Sequence, residues 1–245
     1  MEIRKHNHLE PKIWTTNNTL YPESREMFLS IAWAFIDNVR CRMGLEIYNS
    51  DVKDIFVYGS IANYFYNKKS DVDICILLDM DSVKAKNPER NVEQDLTMFY
   101  YNWAMTHHCN IYGRKVDISY EKVNSDRAKG HYRTGAMYSL IKNDWIYAPV
   151  IISDAEFHDI TSKAKSIYKK IVKDYKVVKK NGFIRDEIET LYKNIYHSKN
   201  TAHDENITQP VTPMYIAFRK VRNRGIIDRL QQEAIKKESA EFVLK

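Results

Sequence analysis

Glycine and proline are scarce in this chain, 7 and 6 among 245 residues, which excludes collagen-like, elastic and low-complexity disordered sequences. Cysteine is scarcer still. Cys41, Cys75 and Cys109 are odd in number and form no CxxC pair, so neither a disulfide framework nor a zinc knuckle is expected. Their spacing of 34 residues is even, but the flanking residues differ and mark no repeat. No apolar run approaches the roughly 18 residues that cross a bilayer, and the stretch Met1–His8 lacks an apolar signal core. A cytoplasmic protein with no membrane partner is therefore expected. What is present is a composition 44% hydrophobic, 29% charged and 12% aromatic, enough to bury a sizeable core in one large domain or two small ones.

The net charge of +6 is unevenly placed. Residues 1–149 hold 19 Lys+Arg against 19 Asp+Glu, whereas residues 150–245 hold 19 against 13. The excess concentrates in Lys163, Lys165, Lys169, Lys170, Lys173, Lys176, Lys179 and Lys180, and again in Arg219, Lys220, Arg222, Arg224 and Arg229. Such a basic face attracts polyanions and is compatible with a nucleic-acid partner, although lysine-rich faces are also ordinary on solvated helices.

Hydrophobic spacing divides the chain into elements. Phe28, Ile31, Ala32, Phe35, Ile36 and Val39 recur at helical intervals after Pro22 and predict a helix over 22–40. Residues 54–58 and 72–78 are short apolar runs of central-strand type, with room between them for only one or two helical turns. A helix over 91–108 and a third strand over 115–119 follow. Beyond Ala148-Pro149-Val150 the pattern is helical. One stripe is Phe157, Ile160, Ala164, Ile167, Ile171 and Tyr175, another is Ile184, Ile188, Leu191 and Ile195, and a third helix is expected after Pro213. The polar stretch Ser198–Thr212 is expected to be a loop. The expected fold class is α/β (α+β), a small mixed sheet over residues 1–150 followed by a basic helical bundle over 151–245.

Chemistry concentrates in residues 57–74. On a strand, residues two apart share a face, so Asp71 and Asp73 project side by side and repel unless a cation lies between them. Hard carboxylate oxygens suit Mg²⁺, which prefers carboxylates together with substrate phosphates. Gly59 would let the backbone approach a phosphate, and a helix starting at Ser60 would offer N–H donors to an anion. Histidines offer no competing metal site. His107 and His108 are adjacent and diverge on a helix, and His197 and His203 fit no ligand motif. Tyr138 is a candidate for stacking on a base.

These residues resemble the DNA polymerase β-like nucleotidyltransferase superfamily. Its pattern is an apolar strand, Gly-Ser, about ten residues, Asp-x-Asp, and a later strand with a third carboxylate. Gly59-Ser60, ten intervening residues and Asp71-Val72-Asp73 fit, and Val116-Asp117-Ile118 is the stretch that matches the third carboxylate. The resemblance covers about residues 24–120. It implies that Asp71, Asp73 and Asp117 are catalytic and hold two Mg²⁺ ions, with Mn²⁺ as an alternative, and that Gly59 and Ser60 bind the phosphates of a nucleoside triphosphate. Many members carry an Arg or other polar group just after Gly-Ser. Here the stretch is Ile61-Ala62-Asn63-Tyr64, which leaves Lys68, Lys69 with Ser70, and Lys142 as candidates for triphosphate contacts.

The activity so implied moves a nucleoside monophosphate from a nucleoside triphosphate to an acceptor hydroxyl with release of pyrophosphate. An RNA or tRNA end suits the basic C-terminal region as acceptor. A protein hydroxyl or an aminoglycoside-like small molecule suits the size of the chain equally. From another class, a catalytically silent nucleotide- or RNA-binding module, or an antitoxin-like partner, would keep the fold without turnover.

Overall fold

Pro22 opens α1 (Pro22–Met43), and Gly44 closes it in the left-handed region at φ 64°, its N–H bonded to the Arg40 carbonyl. Phe28, Ala32, Phe35, Ile36 and Val39 are buried along one face, as the helical spacing requires. The computed structural model in which this is seen describes residues 4–123, 125, 135–204 and 211–243. Next come β1 (Val52–Tyr58) and β2 (Val72–Leu78), antiparallel partners with Tyr58 opposite Asp73. The connection between them holds no regular α-helix. A single 3₁₀ turn, Ser60–Ala62, stands where one or two helical turns were expected.

Two helices follow, α2 (Met80–Lys86) and α3 (Val92–Thr106), capped by the side chains of Asp79 and Asn91. They make the crossover that a parallel pair of strands needs. The chain returns through a tight hairpin, β3 (Asn110–Ile111) and β4 (Arg114–Lys122), turned by Tyr112 and Gly113, both at positive φ. β4 lies parallel to β2, with Val72 opposite Val116, Asp73 opposite Asp117 and Ile74 opposite Ile118. Then β5 (Met137–Ser139) pairs with β1, and β6 (Asp144–Tyr147) with β5, giving a mixed sheet of order β3-β4-β2-β1-β5-β6.

β2 sits at the centre, and its side chains alternate between the two faces of the sheet as a strand's must. Val72, Ile74, Ile76 and Leu78 are fully buried on one face, while Asp73, Cys75 and Leu77 share the other. Phe35 of α1 meets Phe99 and Trp103 of α3 edge-on, at ring-centroid distances of 5.3 and 5.4 Å. On the Asp73 face, Phe56, Cys75 and Met137 make a smaller apolar cluster, against which Tyr58, Leu77 and Ile146 pack.

The fold divides into two units, one over Arg4–Ile151 and one that takes up the chain from Ile152. Among the described residues the second unit is a bundle of four helices: α4 (Asp154–Lys180), α5 (Arg185–Asp204), α6 (Pro213–Asn223) and α7 (Ile226–Val243). Ser153 and Thr212 cap α4 and α6 through their side-chain oxygens. Ile171, Ile188, Ile195, Phe218, Val221 and Leu230 are among its core residues.

Three expectations are corrected here. Ser198–Asp204 continues α5 instead of forming a loop; of the rest of that expected loop, residues 205–210 lie outside the described residues, and Val211 and the extended Thr212 lead into α6. Ile184 precedes α5 and is exposed, so the second stripe begins at Ile188. The segment after Pro213 is two helices, because Gly225 at φ 72° ends the first. Among the described residues no helix is long and apolar enough to cross a membrane.

Candidate active site

The end of β1 delivers the chain to Gly59, whose φ of 81° and ψ of −164° lie in a region that essentially only glycine enters. The need for glycine is also steric. A Cβ at this position would stand 1.9 Å from Oδ2 of Asp73, so the turn and the carboxylate are packed face to face. Asn63, almost fully buried, fastens the turn. Its Nδ2 donates to the Gly59 carbonyl at 3.2 Å, and its Oδ1 accepts from the Phe65 N–H at 2.7 Å. The polar group at this place is therefore a scaffold for the Gly-Ser turn. Ser60 is buried directly after the glycine. With a three-residue 3₁₀ turn behind it, little helix dipole is aimed at an anion, and the donors are those of the turn itself.

Asp73 and Asp117 occupy matched positions on adjacent parallel strands, and Asp71 immediately precedes β2, half-buried, two residues from Asp73. In-register neighbours on a sheet are about 4.8 Å apart, which places two carboxylates on the same face within reach of one ligand. Asp117 Oδ1 lies 3.9 Å from Lys115 Nζ; both side chains are more than 40% exposed, so this is a weak, solvent-screened pair. Tyr58, opposite Asp73 on β1, reaches across β2 so that its hydroxyl stands 3.3 Å from Ser119 Oγ, two residues beyond Asp117. Neither Tyr58 nor Ser119 was expected here. The signal for Tyr58 was its place as the last residue before Gly59.

As donors, these carboxylates suit a hard divalent cation, since they are oxygen-only and two of them are in register on rigid strands. Among the described residues, however, no three His, Cys, Asp or Glu side chains already converge as a metal cluster. Of the other expected contacts, Ser70 is buried and accepts from the Asn67 N–H at 2.9 Å, which makes it a fastener of the Asn67–Ser70 turn. Lys69 is exposed, with its main-chain N–H on Asn67 Oδ1. Lys142 is exposed as well, but its N–H bonds to Ser139 Oγ, and Ser139 in turn donates to Asp54 Oδ1. Because β5 runs from Met137 opposite Tyr58 to Ser139 opposite Phe56, Lys142 continues toward the Asp54 end of β1, away from Gly59. Tyr138, the stacking candidate, is fully buried against Trp14 and Trp145 and is a core residue. His107 stacks on Trp103 at 3.8 Å, a packing role.

A group of residues that no motif marks lies behind Asp71. Arg114 at the start of β4 is buried; its Nη1 donates to the carbonyls of Asn67 at 2.6 Å and Ser70 at 2.9 Å, while its Nη2 is paired with the carboxylate of Glu10. The segment that brings Glu10 is bound along its length. The His6 N–H donates to the Tyr64 carbonyl at 2.8 Å, the His6 ring stacks on Tyr66 at 4.1 Å, and the Tyr66 hydroxyl lies 3.0 Å from His8 Nδ1. Burial first, and the charge of Glu10 second, push the Tyr66 phenol up to about 12, against the opposing charge of Arg114.

Residues 42–134 match the family model of the nucleotidyltransferase domain, a span that holds the Gly59 turn, Asp71, Asp73 and Asp117, and the match fits the polymerase β-like superfamily. No curated protein and no solved structure matches the chain.

Proposed function

We propose that this nucleotidyltransferase domain is an active, metal-dependent enzyme that transfers a nucleoside monophosphate from a nucleoside triphosphate to an acceptor hydroxyl and releases pyrophosphate. The observation that carries the reading is the matched placement of Asp73 and Asp117 on adjacent strands, with Asp71 beside them and the Gly59 turn packed against Asp73. Asp71 and Asp73 would hold two Mg²⁺ ions, and Asp117 one of them. When bound, such ions lower the pKa of the attacking hydroxyl and neutralise the pyrophosphate leaving group.

The residues of the chain do the rest. Gly59, without a side chain, lets the terminal phosphates approach the turn, and Ser60 donates to them. Asp117 takes the proton from the acceptor oxygen as that oxygen bonds to the α-phosphorus and the bond to pyrophosphate breaks. The acceptor is an RNA end, a tRNA end included. The eight lysines of α4, from Lys163 to Lys180, all face solvent, and Arg224 and Arg219 hold the hydroxyls of Tyr168 and Tyr215 at 2.7 and 2.9 Å, which offers phosphate contacts beside aromatic rings.

The test is transfer of label from each of the four α-labelled nucleoside triphosphates, with Mg²⁺, to small RNA, to total protein and to the enzyme itself. Label in RNA that is lost in Asp73→Asn supports the whole reading. Label in protein or in a small molecule such as an aminoglycoside moves the acceptor and keeps the reaction. Turnover unchanged in Asp73→Asn overturns the assignment. A second reading, a silent nucleotide- or RNA-binding module or antitoxin-like partner, is favoured by the absence of a convergent triad among the described residues. It requires triphosphate or RNA binding with no label transferred.

A further inference from the structure

Arg114 and Glu10 are a buried ion pair, their side chains 8% and 9% exposed. Burying two charges is costly, and an apolar pair of similar volume commonly serves stability as well or better. What an apolar pair cannot do is direct a fork of donors at several acceptors. Arg114 does this within four residues of chain: Nη1 is shared between the carbonyls of Asn67 and Ser70, while Nη2 is held by Glu10. Those two carbonyls begin and end the turn that hands the chain to Asp71. The same turn is closed from within by three short bonds, Asn67 N–H to Ser70 Oγ, Ser70 N–H to the Asn67 carbonyl, and Lys69 N–H to Asn67 Oδ1. It ends at the residue before Asp71 and leads into the strand that pairs with β4, from whose first residue Arg114 itself projects. The guanidinium therefore links the start of the Asp117 strand to the lead-in of the Asp71–Asp73 strand.

We propose that Arg114, oriented by Glu10, is a positioning residue that sets where Asp71 stands relative to Asp73 and Asp117, and so tunes the affinity of the three carboxylates for a divalent cation. The segment ahead of α1 thereby becomes part of the site's support, although it contributes no ligand. This rests on the functional reading above and deepens it.

The test uses the full chain and two readouts. Arg114→Lys keeps the charge and loses the fork. Calorimetric titration with MnCl₂ is expected to give binding about 10- to 100-fold weaker than wild type, the usual effect of losing a group that orients a metal ligand. Hydrogen exchange is expected to quicken at the amides of Asn67, Lys69 and Ser70 and to stay unchanged in β1 and β2. In turnover, kcat falls while KM for the triphosphate holds. Quickened exchange with unchanged Mn²⁺ affinity overturns the proposal, because the turn then moves without consequence for the carboxylates. Unchanged exchange overturns it as well, because Arg114 then does not hold the turn. If wild type binds no Mn²⁺, or binds it equally with Asp71→Ala/Asp73→Ala, the functional reading itself fails and this proposal falls with it, a result told apart by the wild-type titration. Should Arg114→Lys not fold, Glu10→Gln, which keeps shape and an acceptor oxygen, is scored on the same two measurements.

Discussion

Replacing Gly59 by alanine tests the geometry of the site most directly. The new Cβ would lie 1.9 Å from Oδ2, 2.9 Å from Cγ and 3.3 Å from Cβ of Asp73, where ordinary contact begins at 3.4 Å. The carboxylate must therefore retreat by about 1.5 Å, or the turn must open. Two penalties combine: alanine at φ 81° and ψ −164° costs about 1–3 kcal/mol of backbone strain, and the forced repacking about 1–3 kcal/mol more. A total of about 2–6 kcal/mol is a large part of the 5–15 kcal/mol typical of a domain. If Asp73 holds the metal ions as proposed, a displacement of that size costs about 100-fold in rate or more.

The two penalties separate in a double-mutant cycle. Asp73→Ala removes Oδ2 and Cγ and leaves only the tolerable 3.3 Å neighbour. In that background Gly59→Ala should cost the backbone part alone, a coupling of about 1–3 kcal/mol in favour of the double variant. The four tryptophans, Trp14, Trp33, Trp103 and Trp145, all lie in the unit Arg4–Ile151, so urea unfolding followed by their fluorescence reports on that unit without interference from the helical bundle. Equal penalties for Gly59→Ala in the two backgrounds would refute the claimed packing of turn against carboxylate.

Other expectations are narrower. Asn63→Ala leaves the Phe65 N–H and the Gly59 carbonyl without their buried partner and should cost about 1–3 kcal/mol in the same unfolding assay; a loss near zero would mean that the turn holds itself. Asp51 is buried, which by itself raises its pKa, but hydrogen bonds from Lys86, the Tyr48 N–H and Ser82 prevail and hold it below 3.8. Its folded form thus takes up a proton less readily than the unfolded chain, so this contribution to stability is present above about pH 4 and is lost as pH falls below that; Asp51→Asn should flatten the acid limb. Glu93, lowered to about 2 by Lys122 and Lys84, lies at the surface, so high salt should remove its share of the acid dependence and leave that of Asp51. Tyr66 is raised to about 12, so its contribution is complete below pH 10 and is lost as pH climbs toward 12. Tyr66→Phe should shrink that alkaline loss, and an unchanged alkaline limb would show the phenol to be no more protected than in the unfolded chain.

The elements that could be read in advance are those whose causes are local. α1 shows its apolar stripe, its opening proline and its closing glycine, and β1 and β2 are seven-residue strands built around the apolar runs Ile55–Tyr58 and Ile74–Leu78, set off by Gly59 and by Asn67–Ser70. β5 and β6, three and four residues long, are too short for alternation to register, and β5 is a strand because β1 offers it an edge. Polar residues 198–204 extend α5 because the helix is already nucleated at Arg185 and each further residue adds a bond at little cost. α6 and α7 run together in the sequence, and only Gly225 marks the break.

The site divides along the same line. Asp71, Asp73 and Gly59-Ser60 lie within fifteen residues of one another and announce themselves by spacing. Asp117 was legible only through a family pattern, since nothing around it says that its strand will lie parallel to β2 and in register. Arg114 and Glu10, separated by 104 residues, had no signature at all. An arginine at the start of a strand looks like any solvated cation until the fold encloses it, and a glutamate ahead of a helix looks like any surface acid. Residues that perform chemistry must present particular atoms at short range, which leaves a local pattern. Residues that hold them in place need only arrive at the right point in space, from any distance along the chain, and it is there that a sequence pattern has least to offer and a buried charge in the structure has most.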